Sequence, residues 1–332
     1  RIQYELIIMV LFVKRVGVVG GGAMGSQIAD IMAINGKEVI IKDISEEYLK
    51  KARENVENNL DSLLEFNVTR ADKEIERIEK TNQIQLTDEQ KNKIKETLKP
   101  KFNEDMKKEA MDKIQTTTDY KEFNDVDLVI EAVLETADLK KQVFAELDKN
   151  TPSHAILATN TSSLSVTEIA SVTNRPERVV GVHFFNPPVT LPLVEVIPGM
   201  ETSEETVNDM IDFMSSIRNH RYPMQPIKVK EVPGFLVNRI LFAMMNEAYS
   251  CYDEGVASMR DIDLAMKAGA GMPMGPFELS DLVGIDVIYH VEEEVRKMIG
   301  GNTTRQPSQT IRKLYHAGRY GKKTKRGFYD YR

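Results

Sequence analysis

A histidine and a glutamate twelve residues apart, in the stretch GVHFFNPPVTLPLVE (residues 181–195), have the side-chain types needed to move a proton. An imidazole with a reference pKa of about 6.5 can take a proton from an alcohol as a hydride departs, and a carboxylate beside it orients the ring and steadies its charged form. The chain has five histidines: His154 in a Thr-Pro-Ser-His turn, His220 in a basic loop, His290 in a helical stretch, His316 near the C-terminus, and His183. Only His183 falls at the end of a predicted strand, where Asn186 and the prolines stop the run, and strand ends are where open α/β sheets gather ligands. By position alone, His183 reads equally well as a core residue beside Phe184 and Phe185. Glu195 returns to its side if Pro187, Pro188 and Pro192 make a tight connection between two extended pieces. The run Asn160-Thr161-Ser162-Ser163 brings small hydroxyls to the end of another strand, although by itself it is also a good helix cap.

A second constellation precedes it. Gly20-Gly21-Gly22-Ala23-Met24-Gly25 follows a β-branched run and opens a helical one, the context in which G-x-G-x-x-G binds a dinucleotide. In that reading Gly20 allows the tight turn, Gly22 lets the backbone approach a pyrophosphate and Gly25 permits close helix packing, with the phosphates at the helix N-terminus. Asp43, 23 residues after Gly20, ends the next strand and is placed to accept from the ribose hydroxyls. A carboxylate there repels the 2′-phosphate of NADP, so NAD is expected, with the neighbouring Lys42 a partial counterweight.

The elements that must position these residues follow from periodicity. Val16–Val19, the glycine turn and Val39–Ile41 read as a βαβ unit, and Leu49, Ala52, Val56, Leu60 and Leu63 share one face of a helix from Ser45 to about Leu64. Residues 66–114 are dense in charge and read as an inserted helical hairpin, with Thr87 and Gln90 forming a capping box. Strands resume at Leu128–Val133, Ala155–Ala158 and Val179–Phe184. The expected fold is therefore α/β: a doubly wound, Rossmann-type, mostly parallel sheet carrying the hairpin. Beyond Val232-Pro233-Gly234 only helical spacing remains, as in Ile240, Leu241, Met244, Ala248 and Cys251. This predicts a dinucleotide domain over 14–230 and a smaller all-helical domain over 231–332, leaving 1–13 as an unassigned extension.

Bulk properties agree with two globular domains: 332 residues, 41% hydrophobic and 29% charged. A net charge of −7 argues against non-specific nucleic-acid binding, and the single Cys251 excludes an internal disulfide and fits a reducing, cytoplasmic setting. No CxxC or HExxH pattern suggests a metal. The apolar run Leu6–Val13 is far short of the roughly 20 residues that span a bilayer, and it lacks the flanks of a secretory signal.

These residues stand in a sequence that closely resembles the L-3-hydroxyacyl-CoA dehydrogenases of fatty-acid β-oxidation and butanoate metabolism. The resemblance lies in VGVVGGGAMGSQIA (16–29), VIEAVLE (129–135), ATNTSSLSVTEIA (158–170), GVHFFNPP (181–188), LVEVI (193–197), VPGFLVNRI (232–240), AMKAGAGMPMGPFELSDLVGID (265–286) and GRYGKKTKRGFYDY (318–331), nearly the whole chain from residue 14 onward. It implies an NAD-dependent (S)-3-hydroxyacyl-CoA dehydrogenase of the 3-hydroxybutyryl-CoA type. His183 would be the general base, Glu195 its orienting carboxylate, and Ser162 and Asn238 the substrate-positioning residues. It also implies NAD contacts at Asp43, Glu135, Lys140, Ser162, Asn186 and Lys323, beside Gly20, Gly22, Ala23, Met24 and Gly25 of the turn. Read from residue type alone, Lys140 and Lys323 are solvated charges. The family further implies a hairpin that helps clamp coenzyme A; a homodimer through the helical domain is expected, and association with or fusion to an enoyl-CoA hydratase is left open. Four departures stand out: Pro192 where relatives carry lysine before Leu-Val-Glu, Lys325 where they carry glycine in Lys-Thr-Gly, a longer hairpin, and an insertion at Asn219–Met224. The alternatives are a sugar-acid dehydrogenase of the same superfamily, similar to L-gulonate 3-dehydrogenase, and a non-catalytic NAD(H)-binding protein.

Overall fold

The computed structural model describes residues 13–299 and 308–332, which form two compact units meeting in sequence at Val229 and Lys230. The N-terminal run Leu6–Phe12 lies outside the described residues. In the first unit the chain order is β1 (Arg15–Val19), α1 (Ala23–Ile34), β2 (Glu38–Lys42), α2 (Glu46–Asn82), α3 (Asp88–Thr97), α4 (Glu104–Asp112), β3 (Ile114–Thr117), β4 (Leu128–Glu131), α5 (Ala137–Asn150), β5 (Ile156–Thr159), α6 (Val166–Ala170), β6 (Val179–Phe184), β7 (Leu193–Pro198), α7 (Glu204–Ser216) and β8 (Gln225–Lys228). The eight strands make one sheet in the order β3-β2-β1-β4-β5-β6-β7-β8. Neighbours are parallel except β6 and β7, so β7 and β8 run against the other six. The order reverses beside β1, which leaves a crevice at the carboxyl ends of β1 and β4.

Local chemistry accounts for most boundaries. Ser45 caps α2 by accepting from the Tyr48 amide, and the five apolar positions expected on one face, Leu49 to Leu63, are all buried against the core. The helix does not stop near Leu64 as its apolar spacing suggested. It contains no proline or glycine to break it and continues as a 37-residue helix to Asn82, so the first arm of the hairpin is its second half. Thr87 and Gln90 form the expected capping box at the start of α3. The strands not anticipated, β3 and β8, are the two edges of the sheet, where short half-exposed strands carry little apolar signal and a residue such as Pro226 is tolerated.

The second unit contains α8 (Val237–Asp253), α9 (Met259–Ala268), α10 (Pro276–Val283), α11 (Ile285–Ile299) and α12 (Gln309–His316), with no strand among its described residues. The core stripe of α8 is Met245, Ala248 and Tyr249; Leu241 and Met244 pack partly against it and Ile240 is 63% exposed, so the apolar face sits further round the helix than the expected set. Two buried carboxylates clip the C-terminal segment down. Asp281 accepts from the Phe328 and Tyr329 amides at 2.8 Å each, and Asp263 accepts from the Tyr329 hydroxyl at 2.7 Å. Just ahead of that segment, Lys325, where a glycine was expected from the family, has φ 57°, in the left-handed region. Lys325→Gly should therefore stabilise the chain by roughly 0.5–1 kcal/mol, read as a higher denaturant midpoint; an unchanged or lower midpoint would remove the strain assigned to this residue.

Candidate active site

The glycine turn is built as its spacing demands. Gly20 has φ 97°, and a Cβ there would stand 2.7 Å from the Ala132 carbonyl; a Cβ on Gly25 would stand 1.7 Å from the Gly20 carbonyl, so only glycine lets α1 start this close to β1. Around Gly22, by contrast, a Cβ would meet nothing within 4 Å. No side chain caps α1 and its first turn holds no acid, which leaves its amides and dipole for an anion. Asp43 is fixed by the turn itself: its Oδ2 accepts from the Gly21 amide and its Oδ1 from the Ile44 amide, both at 2.7 Å. Gly20, Gly22, Ala23 and Asp43 line a cavity of about 730 Å³, with Ile44 and Leu134 on its walls. Lys42, the expected counterweight to Asp43, lays its ammonium over the Tyr120 ring, 4.1 Å from the centroid. Burial pushes the Lys42 pKa down against the pull of Asp43 and Glu146, and pushes the Tyr120 hydroxyl up to about 12.

His183 and Glu195 are register partners across the antiparallel pair β6 and β7. Their side chains therefore emerge on the same face of the sheet, and His183 Nδ1 lies 2.9 Å from Glu195 Oε2. Both are buried, at 6% and 0% exposure. A carboxylate only accepts, so in this contact Nδ1 is the donor. Phe185 packs its ring 4.6 Å from the imidazole, while Phe184 enters the core. Pro192, on the connection between the strands, costs no ladder bond; its carbonyl accepts from the Gln225 amide at the start of β8. Asn186 is exposed on that connection, and Asn160 Oδ1 accepts from the Phe184 amide, tying the end of β5 to the end of β6.

Ser162 sits in the turn after β5, where Glu135 gathers the backbone: Glu135 Oε1 accepts from the Thr161 hydroxyl at 2.6 Å, the Ser162 amide at 2.7 Å and the Ser163 amide at 3.2 Å. Burial raises the Glu135 pKa, but Lys140 and these donors outweigh it and hold the carboxyl below its ordinary range. Lys140 is the clearest surprise. It is 1% exposed, with Nζ 2.7 Å from Glu131 and 3.2 Å from Glu135, so it is not the solvated charge its type suggested. A signal was present, since Lys140 shares the stripe of Val143, Phe144 and Leu147 that α5 buries. Asn238 and Lys323 belong to the second unit. Asn238 lies in the first turn of α8, and Lys323 pairs with Asp286 and lies over the Tyr320 ring.

A second cavity of about 440 Å³ opens between the hairpin and residues 218–222. Arg70, Lys101, Arg218 and Arg221 line it without any acidic residue, and Arg70 and Arg221 flank the Phe66 ring. Asn219 shapes this segment by accepting from the Arg221 and Tyr222 amides. His220, expected in a basic loop, turns inward to Asp30 at 2.9 Å, out of hydrogen-bond alignment; burial raises the Asp30 pKa against the pull of His220.

The family model for the 3-hydroxyacyl-CoA dehydrogenase NAD-binding domain matches residues 15–91 and 65–232, and that for the family's C-terminal domain matches 234–331. The chain belongs to the 3-hydroxyacyl-CoA dehydrogenase family. It is 38% identical to the human mitochondrial hydroxyacyl-coenzyme A dehydrogenase over 97% of this chain and 92% of that one. It is also 38% identical to the 3-hydroxybutyryl-CoA dehydrogenase of Clostridioides difficile over 96% of this chain and 99% of that one. The crystal structure of the (S)-3-hydroxybutyryl-CoA dehydrogenase from Ralstonia eutropha superposes with a TM-score of 0.81 at 34% identity, covering 96% of this chain and 99% of that one. Membership makes the chain an NAD-dependent 3-hydroxyacyl-CoA dehydrogenase, an oxidoreductase whose cofactor domain is the sheet described above. Among the described residues no helix is long and apolar enough to cross a membrane, and no group of three or more His, Cys, Asp or Glu could hold a metal.

Proposed function

We propose that this member interconverts short-chain (S)-3-hydroxyacyl-CoA and 3-ketoacyl-CoA esters, foremost 3-hydroxybutyryl-CoA, with His183 as the proton carrier. The observation that carries the reading is the buried His183–Glu195 pair at the strand ends of a dinucleotide-binding sheet. When bound, NAD supplies the hydride acceptor. The protein does the rest. Glu195 keeps the Nδ1 proton in place and steadies the imidazolium formed when Nε2 takes the 3-hydroxyl proton; in the reverse direction the imidazolium returns that proton to the ketone oxygen. Ser162 hydrogen-bonds the substrate oxygen, and Asn238 helps position the substrate. Asp43, Asn186 and Lys323 contact the cofactor along with the glycine turn, and Glu135 does so at the mouth, while Lys140 acts through Glu135. The short-chain choice rests on the relatives named for 3-hydroxybutyryl-CoA. The exposed Leu264, Leu282 and Val287 of the second unit support a homodimer through it.

The acid-free cavity between the hairpin and residues 218–222 supports binding of the phosphorylated nucleotide end of coenzyme A. NADH consumption should be rapid with acetoacetyl-CoA, slower with longer 3-ketoacyl-CoA esters and negligible with free keto acids. Arg70→Ala with Arg221→Ala should raise KM for acetoacetyl-CoA by about tenfold or more, as loss of charge-assisted hydrogen bonds predicts, and leave KM for a truncated N-acetylcysteamine thioester alone. Turnover of free keto acids in preference to every CoA ester would replace this reading with that of a sugar-acid dehydrogenase.

A further inference from the structure

Glu131 is not among the residues that family resemblance assigns to the site, yet it is completely buried at the last position of β4. Both of its oxygens are used. Oε1 accepts from the Lys140 ammonium and from the Val133 amide, each at 2.7 Å, and Oε2 accepts from the Thr159 hydroxyl at 2.7 Å. Lys140 then reaches Glu135, and Glu135 Oε1 accepts from Thr161, Ser162 and Ser163. The turn 159–163 is thus fastened at both ends to the strand beside it. Glu131 holds its start through Thr159, and Glu131, Lys140 and Glu135 in series hold its far end.

We infer that Glu131 is a positioning residue for Ser162, acting through Lys140 and Glu135, an inference that rests on Ser162 contacting substrate. Two carboxylates share one ammonium: Glu131 and Lys140 are buried, while Glu135 reaches the surface. With the charge of Glu131 removed, the ammonium keeps Glu135 as its only carboxylate partner among the described residues and draws it toward α5. Glu135 is the group that gathers the Ser162 turn, so the Ser162 hydroxyl moves with it while the His183–Glu195 base pair, which it does not touch, stays where it is. The same arrangement explains how a lysine with 1% exposure affects a site it does not face.

The test is a double-mutant cycle in the full-length chain, with acetoacetyl-CoA and NADH. Glu131→Gln should lower kcat by roughly tenfold, since displacements well below 1 Å cost about that much, with any rise in KM for NADH through Glu135 smaller than the loss in kcat. In a Ser162→Ala background the same substitution should change kcat by less than about twofold, because the group it positions is already gone. An equal loss in both backgrounds would reduce Glu131 to a purely structural role and overturn the inference. Full kcat in Glu131→Gln beside a deficient Ser162→Ala would overturn it while leaving the reading of Ser162 intact, whereas full kcat in Ser162→Ala would remove both. Should Glu131→Gln not fold, the volume-conserving pair Glu131→Leu with Lys140→Met removes both charges and is expected to show the same background dependence.

Discussion

Replacing His183 by glutamine is expected to lower kcat by about a thousandfold, within the range that general acid–base catalysis contributes, while NADH binds as before. Glutamine keeps a side-chain amide near the position of the ring and can still donate to Glu195, so the β6–β7 pair retains its polar link. What it lacks is a nitrogen that takes up and returns a proton near neutral pH. A loss confined to kcat would place His183 in the chemistry, whereas a loss in NADH affinity would place it in cofactor binding. Titration of the fluorescence of bound NADH, set beside steady-state rates, separates the two. Near-normal turnover would end the assignment of His183 as base.

Asp43→Ala is expected to raise KM for NADH by about 10- to 100-fold, the equivalent of charge-assisted hydrogen bonds, and to narrow the preference for NADH over NADPH. The carboxylate has two functions that this variant removes together. It offers acceptors to the ribose hydroxyls, and its Oδ2 also ties down the Gly21 amide. The absolute KM therefore reports both, and the ratio between the cofactors isolates the electrostatic one. Asp43→Asn, which retains an acceptor for Gly21 but not the charge, should shift the ratio with a smaller rise in KM for NADH. An unchanged ratio in both variants would mean that Asp43 does not exclude the 2′-phosphate.

How much of this was legible beforehand depended on whether a signal was local. The glycine turn, Asp43 at the end of the following strand and the capping box at Thr87 are set by backbone geometry within a few residues, and each is found where spacing placed it. The return of Glu195 to His183 was legible as well, because prolines between two apolar runs leave few other routes. The edge strands β3 and β8 were not, since an edge buries only part of each face and is free to use polar residues and proline. Nor was the length of α2, whose second half buries only Ala71 and Ile75, a stripe too thin to announce a helix by periodicity, and is carried on by the buried half that precedes it. The burial of Lys140 depended on two carboxylates supplied by β4 and by the loop after it, and the pattern of charges along a chain does not say which of them meet out of water.

The register of β6 against β7 has a consequence for how this site tolerates change. Since His183 and Glu195 face each other across a ladder, the segment between the strands, residues 185–192, sets what surrounds the pair but not the pair itself. Loop residues can be exchanged, and the loop can be lengthened or shortened, while imidazole and carboxylate keep their distance. A single residue inserted within either strand has the opposite effect, sending one partner to the other face of the sheet. The sheet thus acts as a ruler for the proton-transfer pair, so substrate range can drift through the loop while the chemistry stays in register.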